Sequence, residues 1–247
     1  MPRYSPGPVI SFGPGPVTPA VKALIWTNVA LFVLSFFSGD IVVYLGLTPA
    51  AVVHRYAIWQ PLTYMFVHGG LFHIAFNMLA LWMFGVELER RWSTPFFVRF
   101  YGVAGVGAAV TTLLLSFLPF EFAERMYYVP TIGASGAIYG LLLAYALYFP
   151  DRPIYMYLLF PVPAKYFVLI IGAITLMASV SDSAGGTAHF AHLGGLVFGY
   201  LYLKWGRIHP LTEIKYRYVK WRMNRLRRKF DVYSGGRANN DWDRHIH

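Results

Sequence analysis

Cysteine is absent from the 247 residues, which excludes a disulfide framework, a thiolate nucleophile and any Cys-based metal site. Charge is scarce too. Asp, Glu, Lys and Arg together make up 13% of the chain, against 57% hydrophobic residues, far from the balance of a soluble domain. Acids are the rarer sign, 11 against 21 Lys and Arg. The net charge of +10 belongs mainly to the last 44 residues, where twelve Lys and Arg meet four acids. The rest of the chain is nearly neutral. The first twenty residues hold six prolines and three glycines, with no apolar core and no small-residue cleavage pattern. They read as a disordered or extended lead-in rather than a cleaved signal peptide.

What remains is apolar, with a mean hydropathy of +0.48. Apolar segments fall at 20–39, 71–86, 96–118, 132–149, 166–180 and 188–203. Several are shorter than the roughly 20 residues a span prefers, a deficit that snorkelling or local thinning of the bilayer absorbs. A soluble bundle with buried helices is the competing reading, and six such runs with so little charge between their ends argue against it. The expected fold is therefore all-α, a polytopic membrane protein with six transmembrane helices. The lead-in is 1–19, the helical domain 20–205 and a basic tail 206–247.

Orientation follows from the positive-inside bias. Nineteen Lys and Arg lie in the N-terminal segment, the even-numbered loops and the tail; Arg55 and Arg125 are the two on the other side. Both termini are expected in the cytoplasm (N-in/C-in). The even-numbered helices then start at the outer surface. His73 opens the second, Ser135 opens the fourth and His192 lies one turn into the sixth. Asn77 sits about 6 Å below His73 at 1.5 Å per residue. Four polar residues from three segments share one layer near the outer face.

Polar groups inside a membrane are costly and face water or each other. A lone Ser bonds back to its helix, and a lone His packs between helices; their conjunction points elsewhere. Ser135 stands in a G-x-S-G-x-x-x-G run with Gly133, Gly136 and Gly140. A helix N-terminus leaves unpaired amides beside its hydroxyl, and flanking glycines admit a close backbone. His192 stands in A-H-x-x-G-x-x-x-G, above Gly195 and Gly199. Small-xxx-small pairs on two helices permit close packing, which would bring His192 to Ser135. No acid lies in the second, fourth or sixth span, so a Ser–His dyad is expected rather than an acid-oriented triad. Tyr139, one turn below Ser135, either stacks on His192 or fills the core. His73 and Asn77 share a helix face, and with the Ser135 amide would form an oxyanion hole. The rival for His68, His73, His189 and His192 is a metal site, but no Asp, Glu or Cys accompanies them in the spans. No metal or other cofactor is expected.

These residues, in this order, resemble the rhomboid family of intramembrane serine proteases. The matching motifs are H-x-x-x-N at His73 and Asn77, the run around Ser135, and the run around His192, with the likeness covering residues 20 to 205. The resemblance implies a six-helix core, Ser135 and His192 as catalytic dyad, and His73, Asn77 and the Ser135 amide as oxyanion hole. It also implies support of the dyad by Tyr139 and Gly133, and a structural role for His68. Glu89, Arg90 and Arg91 are similar to the family's E-x-R signature. Trp59 to Thr63 resemble its first-loop motif, except that Gln60 stands where Arg often follows the Trp, a departure that bears on that loop's hydrogen bonds.

The expected partners are transmembrane segments of substrate proteins and the lipid bilayer, with no nucleic acid. The expected location is a prokaryotic cell (inner) membrane. Segments would enter sideways and partly unwind, with the fifth helix and the loop holding Gly185 and Gly186 as gates. Residues 215–230 place Tyr216, Val219, Met223, Leu226 and Phe230 on one helical face within a basic surround. That reads as an amphipathic helix for anionic lipid, or else as a solvated tail that enforces topology. A catalytically silent relative acting as chaperone or scaffold is the alternative function, which the intact Ser135 and His192 disfavour. A small transporter or channel would need charged groups deep in the spans.

Overall fold

The computed structural model describes residues 13–156, 160–180, 186–207, 219–223 and 225. Within them the chain is mostly helical. Each of the six apolar segments is carried by a helix: α1 (Pro19–Ser35), α5 (Leu71–Trp92), α6 (Thr94–Leu115), α8 (Ser135–Tyr148), α9 (Ala164–Val180) and α10 (Gly186–Arg207). Between them lie the short helices α2 (Asp40–Leu45), α3 (Pro49–His54), α4 (Gln60–Thr63) and α7 (Glu121–Tyr128). By length and composition α5 and α6 can each cross a membrane, while α1, α8 and most of α9 are apolar but shorter. Trp26, Phe72, Leu114, Leu169 and Met177 are all more than 60% exposed, an apolar exterior unusual for a protein bathed in water.

Among the described residues, a short hairpin departs from an all-helical chain. Strands β1 (Pro153–Met156) and β2 (Phe160–Pro163) pair antiparallel, with Pro153 opposite Pro163 and Met156 opposite Phe160. Four residues per strand, prolines among them, leave too little alternation for a sequence pattern to register. Arg152 pairs with Glu87 of α5 beside this hairpin, and Lys165 bonds Asp151 at 2.7 Å.

Glu89 is buried at the end of α5, and its carboxylate ends another helix. The amides of Ala20 and Val21 donate to its two oxygens at 3.1 Å each, and Thr94 Oγ1 donates to Oε1 at 2.7 Å. The first amides of a helix have no partner within it, and the positive end of the helix dipole favours a carboxylate there. The adjacent Arg90 donates to the carbonyls of Pro14 and Pro16. Glu89 and Arg90 thus fasten the segment entering α1 to the end of α5, while Arg91, the Arg of the E-x-R signature, lies over the Tyr148 ring at 5.6 Å. Glu89→Ala is expected to destabilise the protein by about 2 kcal/mol, the upper end for a lost helix cap. Glu89→Gln, which keeps one acceptor, should lose less. Thermal unfolding in detergent reads both; unchanged melting in the Ala variant would remove Glu89 from the cap.

The first loop is held by Gln60, the residue that follows Trp59. Its buried side chain accepts from the Thr48 amide at 3.0 Å and donates to the Val43 and Tyr44 carbonyls at 3.3 Å. Trp59 Nε1 donates to the Tyr44 carbonyl at 2.8 Å, and Thr63 Oγ1 to that of Leu45 at 2.8 Å. A neutral amide, with both a donor and an acceptor, carries this network. Leu47 and Thr131 then exchange amide–carbonyl bonds at 2.9 and 2.8 Å, tying the loop to the segment that leads into α8.

Helix α8 is the axis of the core. Gly136, Ala137, Ile138, Gly140, Leu141 and Ala144 are all buried, because α6 and α10 close on it through small residues. A Cβ on Gly140 would lie 2.6 Å from Ala104 Cβ of α6 and 3.1 Å from the Gly195 carbonyl of α10. A Cβ on Gly195 would fall on the Gly136 carbonyl oxygen, and one on Gly199 would lie 3.1 Å from Gly140 Cα. The two glycine pairs meet face to face.

Residues Met1–Lys204 form one compact unit and Trp205–His247 a second. In the second, 219–223 and 225 are helical, and Arg225 lies over the Trp221 ring. Tyr216, Leu226 and Phe230 of the expected amphipathic face lie outside the described residues, as do residues 1–12 and Gly185.

Candidate active site

The chain enters α8 through Gly133, which has φ +116, a conformation that L side chains rarely adopt. That residue cannot be helical, so α8 starts at Ser135 rather than at the beginning of the apolar segment. Room forbids a side chain as well: a Gly133 Cβ would sit 2.7 Å from His73 Nε2. The Gly133 amide donates to the Tyr64 carbonyl at 3.0 Å. Tyr64, fully buried, donates its hydroxyl to the Gly105 carbonyl at 2.7 Å. The turn before the serine is therefore fixed from two sides.

Ser135, the first residue of α8, is half-buried, and its Oγ lies 2.7 Å from His192 Nε2. His192 comes nearly two turns into α10, since that helix begins at Gly186. The imidazole lies flat on the Tyr139 ring, with centroids 4.3 Å apart and planes 4° from parallel. Of the two roles open to Tyr139, stacking is the one the structure has. Its hydroxyl bonds Thr175 Oγ1 of α9 at 3.0 Å, and Thr175 donates to the Ile171 carbonyl at 2.8 Å. Thr175 escaped the sequence reading, although a buried polar residue inside an apolar run is itself a signal.

His73 and Asn77 sit on α5, across the same space. His73 Nε2 and Ser135 Oγ both lie within 4 Å of the position a Gly133 Cβ would take. The Gly69 amide approaches His73 Nδ1 at 3.5 Å, which sets Nδ1 as acceptor and leaves Nε2 to carry the proton. Asn77 is buried one turn below, with Nδ2 donating to the His73 carbonyl at 2.8 Å and a second amide proton remaining. His68 is buried, packs edge-on to His73 with centroids 4.9 Å apart, and lies 3.5 Å from the Ala134 amide. Among the described residues no three His, Asp or Glu side chains gather as a metal site. A cavity of about 740 Å³ opens in the first loop, lined by Tyr44, His54, Trp59 and Gln60 among others. Ser135 and His192 do not line it.

A family model described as the Rhomboid domain matches residues 55–207, which takes in every residue of this site. The chain belongs to the rhomboid family. Among curated relatives, it is 33% identical to "Rhomboid protein 1, mitochondrial" of Saccharomyces cerevisiae over 144 residues, 56% of this chain and 38% of that protein. It is 31% identical over 183 residues to "Rhomboid protease GluP" of Bacillus subtilis, covering 70% of this chain and 32% of that protein. With "Rhomboid protease AarA" of Providencia stuartii it shares 27% over 151 residues, 58% of this chain and 54% of that protein. The rhomboid chain described here thus spans about a third to a half of the length of these relatives. Family membership makes it an integral membrane protein, in keeping with the apolar exterior of its helices.

Proposed function

We propose that this rhomboid is an intramembrane serine endopeptidase that cleaves transmembrane segments of other proteins through Ser135 and His192. The observation that carries the reading is the 2.7 Å contact between His192 Nε2 and Ser135 Oγ, a nucleophile within reach of its base. Two of the relatives named above are called proteases, which supports it.

Ser135 Oγ attacks the peptide carbonyl while its proton passes to His192 Nε2. The Ser135 amide, His73 Nε2–H and the second Asn77 Nδ2–H receive the developing oxyanion. Collapse expels the amine, which takes the proton from His192. Water, deprotonated in turn by His192, then hydrolyses the acyl-enzyme. Tyr139 holds the imidazole plane, and Gly133 keeps the space between Ser135 and His73 open.

In this reading the six long helices span the bilayer with both termini in the cytoplasm, as the Lys and Arg bias requires. Helix α8, with 14 residues, is about 21 Å long, short of a hydrocarbon core of about 30 Å. Ser135, the first residue of α8, then lies below the outer surface rather than at it. The basic tail rests on anionic lipid at the cytoplasmic face, where each Lys or Arg adds about 1 kcal/mol of attraction.

The test is proteoliposomes containing the wild-type protein and a single-pass substrate. A fluorophosphonate should label Ser135, and mass spectrometry should place the cut near the outer end of the substrate's span. An unlabelled serine or a cut at the cytoplasmic end would contradict the reading.

A further inference from the structure

In a neutral histidine one ring nitrogen carries the proton and the other accepts. If His192 Nε2 is to take the proton of Ser135, Nδ1 must hold the ring's own proton and be a donor. His192 Nδ1 is buried and has no hydrogen-bond partner among the described residues. A buried donor without a partner is costly, and an imidazolium there, formed at each attack, would be costlier still. In a Ser-His-Asp triad a carboxylate answers both needs. Here no carboxylate contacts His192 among the described residues.

The same helix offers a substitute. His189 precedes His192 by three residues on α10, so the two share a face. Their ring centroids are 5.9 Å apart, with planes at 70°. His189 Nδ1 is likewise buried and without a partner. Two orphaned nitrogens on neighbouring rings, not bonded to each other directly, suit a single bridging water, and buried water is found where it can join such groups. Among the described residues the other groups beside His192 are Ser135 and Tyr139 of α8 and His73 of α5. Ser135 bonds its Nε2 and Tyr139 covers its ring plane, and among the described residues His189 is the group left to answer Nδ1.

We propose that His189 is a positioning residue for the dyad: His192 Nδ1–H donates to a water that donates to His189 Nδ1, fixing the His192 tautomer and supporting its imidazolium. The inference rests on the protease reading above. The chain is balanced, since His189 accepts at Nδ1 and carries its own proton at Nε2. It moves no net charge, and His189 never touches the substrate.

The experiment uses the full chain in detergent or proteoliposomes. His189→Leu removes the acceptor at similar volume. The expected result is a fall in kcat of roughly tenfold to a hundredfold, short of the ~10⁴ that follows loss of the carboxylate-set tautomer in a triad, with KM little changed. Fluorophosphonate labelling of Ser135 should slow in step, and His189→Gln, whose carbonyl can accept from the water, should recover most of both. Nitrogen-15 spectra of the histidines should show His192 protonated at Nδ1 in the wild type and a mixture of tautomers in His189→Leu. If wild type neither cleaves nor is labelled, the protease reading fails. If wild type is active and His189→Leu keeps its kcat and its Nδ1 tautomer, this inference alone fails. A His189→Leu protein that loses labelling and melts earlier, with no recovery in His189→Gln, would make the role one of packing and overturn it.

Discussion

Ser135→Ala and His192→Ala should each reduce cleavage of a transmembrane substrate by about 10⁴-fold or more, because nucleophile and base act as one unit and losing either forfeits nearly the whole effect. Both proteins should remain folded. Ser135 is half-buried at the first position of α8, where Ala costs a hydroxyl and no packing. His192→Ala strips a ring from the Tyr139 face, but Gly195 and Gly199 still seat α10 against α8 about one and two turns below. His73→Ala and Asn77→Ala should behave differently. In the proposed mechanism each removes one oxyanion donor, which typically costs about 10²–10³ in kcat, or roughly 2.7–4 kcal/mol, and the dyad survives to give slow turnover. Steady-state rates of the four variants, with melting temperatures alongside, separate the two classes. Substantial proteolysis by purified Ser135→Ala would exclude it as the nucleophile, and an unchanged kcat in both α5 variants would remove them from the hole.

The pairing of Ser135 with His192 was legible because it rests on local patterns whose meaning is steric. Glycines four apart on two helices say that the backbones meet, and Ser135 and His192 are each placed relative to their own pair. The six helices were legible for a similar reason, as long apolar runs need no partner to be recognised. What stayed hidden depends on residues far apart in sequence. Nothing local to Glu89 says that its carboxylate meets the amides of Ala20 and Val21, 69 and 68 positions away. Nor does Gln60 announce the bonds it makes, since its acceptors lie in Val43 and Tyr44. Elements of four to eight residues, such as the β hairpin and α7, are shorter than the window in which periodicity speaks. Thr175 was missed differently. It was visible as a hydroxyl within the fifth apolar run, but its partner, the Tyr139 hydroxyl, is a matter of how α9 rotates.

Gly195→Ala is the substitution expected to do most damage to the fold, even though it adds one methyl group. The Cβ would fall on the carbonyl oxygen of Gly136, and backbone cannot swing aside as a flexible side chain can. Room can be made only by separating α10 from α8. That separation would also open the Gly199 contact with Gly140 Cα and the contact of Phe198 with Gly107 of α6. The cost should reach about 3 kcal/mol or more, the upper end for overpacking a well-filled core. His192 rides on the displaced helix, so its 2.7 Å contact with Ser135 is lost, and cleavage and fluorophosphonate labelling should fall with it. Gly102→Ala is the comparison that isolates the cause. Gly102 is also within a long helix, but nothing lies within 4 Å of where its Cβ would be. There the exchange should be neutral or stabilising by up to about 1 kcal/mol, the difference in helix propensity. Melting temperature and labelling rate for the two variants, measured in the same detergent, check the pair. A Gly195→Ala protein that melts and reacts like wild type would mean that α8 and α10 do not meet glycine to glycine, and the route by which His192 reaches Ser135 would have to be sought elsewhere.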